Sequence, residues 1–213
     1  MSTWIELQRT RHQVAIFGQV SNAQSGVVIQ GVLVQIVQMP EAFKQWLALH
    51  SKQYYPDWET IKHRPDRVLT AVDGYFYFLD LPAGEYTLVA SLVSAGTRYG
   101  TAQVTATVTY DSLGNCARNA VNIALPSTGV KGQIVDADRA PIGMAKIQID
   151  GSLDYTFTDS KGNYYLGELE TSKPPLKRSV TLKISARGFQ PASQSAELSQ
   201  GEVQTLNLSL AKT

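Results

Sequence analysis

The sequence predicts an all-β chain of two tandem β-sandwiches, the first carrying a short helical insertion. Three observations predict it. The chain has 213 residues, room for two domains of ~100. One pattern occurs twice: Gly18-Gln19-Val20 followed by Gly31-Val32-Leu33-Val34-Gln35-Ile36, then Gly132-Gln133-Ile134 followed by Gly143-Met144-Ala145-Lys146-Ile147-Gln148-Ile149. A repeat of this length means two copies of one fold. Each copy then reaches an aspartate, a glycine and an aromatic run, Asp73-Gly74-Tyr75-Phe76-Tyr77-Phe78 and Asp159 to Leu166.

Strand signals account for the elements in order. Residues 14–20 are rich in β-branched and aromatic residues, and residues 21–26 form a turn cluster. Residues 32–38 alternate apolar with other residues. Residues 68–71 enter Asp73-Gly74, a strong short hairpin signal, and residues 75–79 leave it. Leu81-Pro82-Ala83-Gly84 is the next turn, residues 85–90 the next strand. Residues 103–110 alternate threonine with small apolar residues, and residues 120–125 close the first domain, 12–126. Pro126-Ser127-Thr128-Gly129 reads as the linker, short enough to keep two domains in a defined relation. The second domain, 129–213, ends in the alternation of residues 203–210, the mark of a half-buried strand.

Pro141, Ile142, Gly143, Ala145, Ile147, Thr158, Asp159, Gly162, Tyr165, Leu166, Gly188 and Phe189 carry a family resemblance. With them the second copy resembles the carboxypeptidase regulatory-like domain, a seven-stranded, Ig-like/transthyretin-like sandwich. The first copy resembles it through Gly18, Gly31, Val34, Ile36, Asp73, Gly74, Phe76, Phe78, Leu81, Pro82, Gly84, Tyr86 and Leu88, and departs by a long insertion. The resemblance implies a non-enzymatic accessory, adhesive or scaffolding module. A fold alone does not set a function.

The insertion occupies about 39–67. Pro40 and Glu41 suit a helix start, and Phe43, Trp46, Leu47, His50 and Tyr54 recur at three- and four-residue steps. Pro56 ends the helix. An insertion this long in a small sandwich calls for a function of its own. The expected partner-binding residues are Phe43, Trp46, Tyr54, Tyr55, Trp58, Arg64 and Arg67, with Lys62 at the flank. The other reading lays the helix back on its own sandwich. Both hold if only one side is buried.

Other chemistry is thinly supplied. The net charge of +1 offers no field for nucleic acid or anionic membrane. No apolar stretch approaches the ~18 residues of a membrane span. Residues 1–12 lack an apolar signal region, so a cytoplasmic protein is expected. His12, His50 and His63 stand at no metal-ligand spacing, and no cofactor or metal is expected. Lone Cys116 reads as a bland thiol. Asp73 and Asp159 are explained by turn chemistry. Lys131 with Asn207 raises an isopeptide cross-link, but no carboxylic acid stands mid-sheet to promote it. The 173–178 loop is basic, stiffened by prolines and solvated.

The expected function is a structural or adaptor protein, not an enzyme, contacting other subunits of a larger assembly or copies of itself. A particle built in the cytosol, such as a phage-tail-like contractile injection system, fits a sandwich without a signal segment. The alternative is a carbohydrate- or ligand-binding module whose insertion rings form a stacking platform.

Overall fold

A computed structural model describes residues 12–61 and 64–213. Residues 1–11, Lys62 and His63 lie outside the described residues, and with them the reading of the N-terminus and one histidine candidate. The chain is two tandem β-sandwiches. The first comprises β1 (Val14–Asn22), β2 (Leu33–Gln38), β3 (Arg67–Leu69), β4 (Tyr75–Leu79), β5 (Gly84–Ser91), β6 (Thr101–Val108), β7 (Asn119–Ala120) and β8 (Ile123–Leu125). The second comprises β9 (Gly129–Asp136), β10 (Lys146–Ile149), β11 (Tyr155–Phe157), β12 (Asn163–Gly167), β13 (Arg178–Ser185), β14 (Ala192–Leu198), β15 (Val203–Thr205) and β16 (Leu208–Leu210).

The sheet orders repeat strand for strand. In the first sandwich, β4-β1-β7 with β8 also on β1 faces β3-β2-β5-β6; in the second, β12-β9-β15 with β16 also on β9 faces β11-β10-β13-β14. The seventh strand of each copy is split in two, and the split explains the repeated Gly-Gln. A Cβ on Gly18 would stand 1.9 Å from Val121 O, and one on Gly132 1.8 Å from Leu206 O. Only glycine lets the bulging last strand approach so closely. Asn122 Oδ1 then accepts the Gln19 N–H at 3.0 Å, and Asn207 Oδ1 accepts the Gln133 N–H at 2.8 Å. The glutamine amides tie down the next turn, Gln19 Nε2 to Asp73 O at 2.8 Å and Gln133 Nε2 to Lys161 O at 2.9 Å. Asn207 is therefore engaged in the bulge, and Lys131 is exposed; no cross-link forms between them.

The Asp-Gly turns differ from the hairpin expected. β3 bonds to β2 and β4 to β1, so the turn carries the chain from one sheet to the other. A buried threonine braces each crossing. Thr158 Oγ1 donates to Ile142 O at 2.7 Å and accepts the Ala145 N–H at 2.9 Å. Thr70 Oγ1 does the same with Ile29 O at 2.8 Å and the Val32 N–H at 3.0 Å. Asp159 and Asp73 are not equivalent: the residue matching Asp159 is Ala71, since both accept from the turn glycine's N–H.

Residues 12–20, 28–90 and 103–123 belong to one compact unit; residues 21–27, 91–102 and 124–213 form the other. Within the second unit, Ser127 and Thr128 are fully buried. The Ser127 hydroxyl donates to Gln24 Oε1 at 2.9 Å and stands 2.6 Å from Tyr165 Oη. Thr128 Oγ1 donates to Thr97 O at 2.9 Å. Thr97 Oγ1 donates to Thr171 O at 2.8 Å and accepts the Thr171 N–H at 3.0 Å. Its apolar core is made by Val130, Ile134, Ile147, Ile149, Leu182, Ile184, Leu198 and their neighbours.

Candidate docking surface

The insertion folds as α1 (Glu41–Gln53), followed by a 3-10 turn at Asp57–Thr60. Pro40 stands at the N-cap with extended ψ, its ring against Gly84, and Glu41 places an acid in the first turn where the helix dipole favours it. The helix touches its sandwich with one fully buried side chain. Phe43 is 4% exposed and meets the Tyr86 ring edge-on at 6.1 Å. Leu47 is half-buried. Other large side chains of the helix and its end stay exposed. Trp46 is 42% exposed, Leu49 67%, Tyr54 50% and Tyr55 81%.

Ring neighbours hold the exposed aromatics in a row along the helix. Trp46 stacks on Phe43 at 5.6 Å with an interplanar angle of 13°, and its ring lies 3.8 Å from His50. Tyr54 follows His50 at 6.5 Å. An open hollow of about 450 Å³, lined by Ser51, Lys52, Tyr55, Pro56, Trp58 and Glu59, lies at the end of the row.

The two arginines do not join this row. The Arg64 side chain is 7% exposed and grips Asp66 bidentately, Nε to Oδ1 at 2.8 Å and Nη2 to Oδ2 at 2.5 Å. Nη1 reaches Glu59 at 2.9 Å, and the guanidinium covers the Trp58 ring at 4.6 Å. Hydrogen bonding to Asp66 holds the Arg64 pKa above its ordinary value despite burial. Arg67 bonds to the Glu59 carboxylate and backbone carbonyl. These groups tie the segment after α1 to the start of β3. A buried charge needs such complete pairing, because breaking one partner strands the other.

The seven sequence-predicted residues thus divide. Phe43 is an anchor; Arg64, Arg67 and Trp58 are clamp residues; Trp46, Tyr54 and Tyr55 face solvent, joined by Leu49, which the helical face count omitted. His12 pairs with Asp80, and His50 Nδ1 donates to Trp46 O at 3.3 Å. Cys116 is half-buried, its backbone N–H donating to Gln13 Oε1 at 2.6 Å. In the basic loop, Lys177 lies 3.8 Å from Glu197 and Arg178 donates to Glu170 O at 2.8 Å. No three His, Cys, Asp or Glu side chains gather as a metal site among the described residues.

Two further aromatic surfaces escaped the sequence reading. Tyr75 and Tyr77 alternate outward on β4, and with Phe17 and Arg118 line a groove of about 620 Å³. On β11, Tyr155 and Phe157 meet edge-on at 5.7 Å, with Lys146 Nζ 4.8 Å above Tyr155. The signal was the two-residue period: the inward rings build the core, and their alternates are left outside.

Residues 129–211 match the model of the carboxypeptidase regulatory-like domain. No curated protein matches the chain. Among solved structures, the minor pilin GBS52 of the Gram-positive pathogen Streptococcus agalactiae is 17% identical, over 93% of this chain and 95% of that one, with a TM-score of 0.32. The shaft pilin SpaA of Lactobacillus rhamnosus GG is 14% identical, over 95% and 98%, with a TM-score of 0.38. A point variant of that pilin reaches 0.41 at 12% identity, over 95% and 97%. Likenesses at this level carry no further argument.

Proposed function

We propose that this chain, in which residues 129–211 are a carboxypeptidase regulatory-like domain, is a non-enzymatic structural subunit that docks onto other protein subunits through α1. One observation carries the reading. A 13-residue helix is held by a single fully buried side chain and turns Trp46, Leu49, Tyr54 and Tyr55 to solvent. Large aromatic side chains at exposed positions, ringed by polar residues such as Lys44, Gln45 and Lys52, are the composition of a docking patch. The net charge of +1 supplies no strong field to draw in nucleic acid.

The cytosolic setting and the contractile-injection particle belong to the same reading as its finer part. The comparisons lend no support to that particle type. No helix among the described residues is long and apolar enough to cross a membrane. The glycan-binding alternative needs open ring faces. Of the insertion's rings, Trp46 is flanked by Phe43 and His50 and Trp58 is covered by Arg64, which leaves Tyr54 and Tyr55.

The test is a crosslinked pull-down from native lysate, comparing the intact chain with Trp46→Ser, Leu49→Ser and Tyr55→Ser combined. Trp46 also stacks on Phe43, so Leu49→Ser with Tyr55→Ser is run beside the triple variant, and each is compared after circular dichroism shows the helix intact. Loss of a stoichiometric protein partner with the triple variant supports the docking role. A partner retained by the variant, or an intact chain that emerges alone, refutes it.

A further inference from the structure

Every free sheet edge is a template for another strand, and proteins blunt such edges with charge, proline, shortness or a bulge. Here β3 and β11 are three residues long, and β4 and β12 five. β14 carries Glu197, whose N–H is already taken by Gln204 Oε1 at 3.0 Å. β6 has none of these protections. It is an eight-residue edge strand reading Thr-Ala-Gln-Val-Thr-Ala-Thr-Val, without a charge or a proline.

The backbone of β6 shows which part of the edge is open. Thr107 O accepts from Asn119 Nδ2, and Thr109 O accepts the Ala117 N–H at 2.9 Å. These carbonyls point off the sheet edge. By the two-residue repeat, the N–H and C=O groups of Thr105, Gln103 and Thr101 point the same way. Among the described residues no strand bonds to them. The stretch ends at Tyr99, whose carbonyl accepts from Gln200 Nε2 at 2.7 Å. Five residues, 101–105, are therefore left as an open ladder. Their inward side chains, Ala102 and Val104, are only half-buried, whereas Ala106 and Val108 beyond them are fully covered. The same stretch thus lacks both a backbone partner and apolar cover.

We propose that β6 is a self-association edge, pairing antiparallel with β6 of a second copy of this chain about a two-fold axis at Gln103. In that register Gln103 faces Gln103 and Thr101 faces Thr105, giving about six inter-strand hydrogen bonds. A two-fold pair sets each side chain against its own kind or its mirror position. A charged strand would repel itself there; this one is neutral throughout, with threonines that pair well across strands. Ala102 and Val104 of the two copies then cover each other. This surface is separate from α1, and the inference does not rest on the docking role of the helix.

The test reads oligomeric state by sedimentation velocity over roughly 5–500 µM, since a patch smaller than the ~1,200 Å² of a standard interface gives a weak dimer. Four samples decide it: the intact chain, Gln103→Lys, Gln103→Glu, and an equimolar mixture of the two variants. Gln103 is exposed, so both variants keep the melting temperature of the intact chain. The expected result is a concentration-dependent dimer of the intact chain, at least tenfold weaker association of each variant alone, and recovery in the mixture, where lysine faces glutamate. An intact chain that stays monomeric overturns the proposal. So does a dimer indifferent to both variants, and so does a mixture that fails to recover.

Discussion

Phe43→Ala isolates what holds α1 in place. Burying a phenylalanine fully and then truncating it costs about 3–5 kcal/mol in a protein core. The site is at a rim, with Trp46 on one side and Tyr86 on the other, so the lower end applies, about 3 kcal/mol including the lost edge-to-face contact. The cost falls on the helix, because no other α1 side chain is fully buried. An isolated helix of fewer than ~15 residues is marginal in water, and α1 has 13. The substitution should therefore melt α1 locally while both sandwiches persist. At 1.4 kcal/mol per decade, about 3 kcal/mol lowers exchange protection across residues 41–53 roughly a hundredfold. Hydrogen exchange read by mass spectrometry checks this, with β1 and β5 peptides as internal references. Unchanged protection in 41–53 refutes the single-anchor reasoning. An equal loss in β1 and β5 refutes the claim that the helix is peripheral.

Thr158→Val keeps the shape but strands the Ile142 carbonyl and the Ala145 N–H in a buried site; urea unfolding should show a loss of about 2–4 kcal/mol, and Thr70→Val a similar one. Gly132→Ala drives a Cβ into Leu206 O and breaks the bulge with its Asn207 contact, costing more than about 3 kcal/mol, against about 1 kcal/mol for Asn207→Ala alone in the same assay. Burial pushes the Tyr164 hydroxyl up to about 12 from an ordinary value of 10.0, so the unfolded chain ionises first and stability, full below pH 10, should fall as pH rises toward 12; a Tyr164→Phe variant should fall less steeply in alkaline melts. Hydrogen bonds from Asn163 and Lys161 hold the Asp159 carboxyl below its ordinary value, so its contribution is complete above the unfolded value of about 3.9 and lost as pH falls through the lower folded one; acid unfolding of Asp159→Asn should be shallower than that of the parent chain.

The sandwich architecture and the insertion were both legible in the sequence, for reasons that show where legibility stops. Alternation and turn glycines are local, and they located most strands. The Asp-Gly dipeptide marked a turn correctly, but whether a turn closes a hairpin or crosses between sheets depends on partners far away in the chain. Aligning the repeats by aspartate hid Thr70. Aligning them by glycine would have revealed it, since Thr70 precedes Gly74 by the same interval as Thr158 precedes Gly162. Helical periodicity located α1 and Phe43, but an apolar stripe reports amphipathicity and not depth. Trp46 and Tyr54 share the stripe with Phe43, yet they are 42% and 50% exposed while Phe43 is buried. Arg64 and Arg67 read as free cations because nothing in their spacing announces that Glu59 and Asp66 fold back onto them. Leu49 lies off the stripe, which is why it was not counted.

The makeup of the second compact unit has a consequence for the order in which the chain is made. Gln24 waits for Ser127, 103 residues later, and Thr97 waits for Thr171, 74 residues later. At the ribosome's ~5–20 residues per second these intervals last about 4–20 s. Throughout them the 21–27 and 91–102 segments have left the ribosome without their partners. β9 cannot complete its own sheet until β15 and β16, some seventy residues further on, come to lie beside it. The 21–27 and 91–102 segments therefore stay accessible to other chains until residues 127 and 171 have been made and have folded onto them.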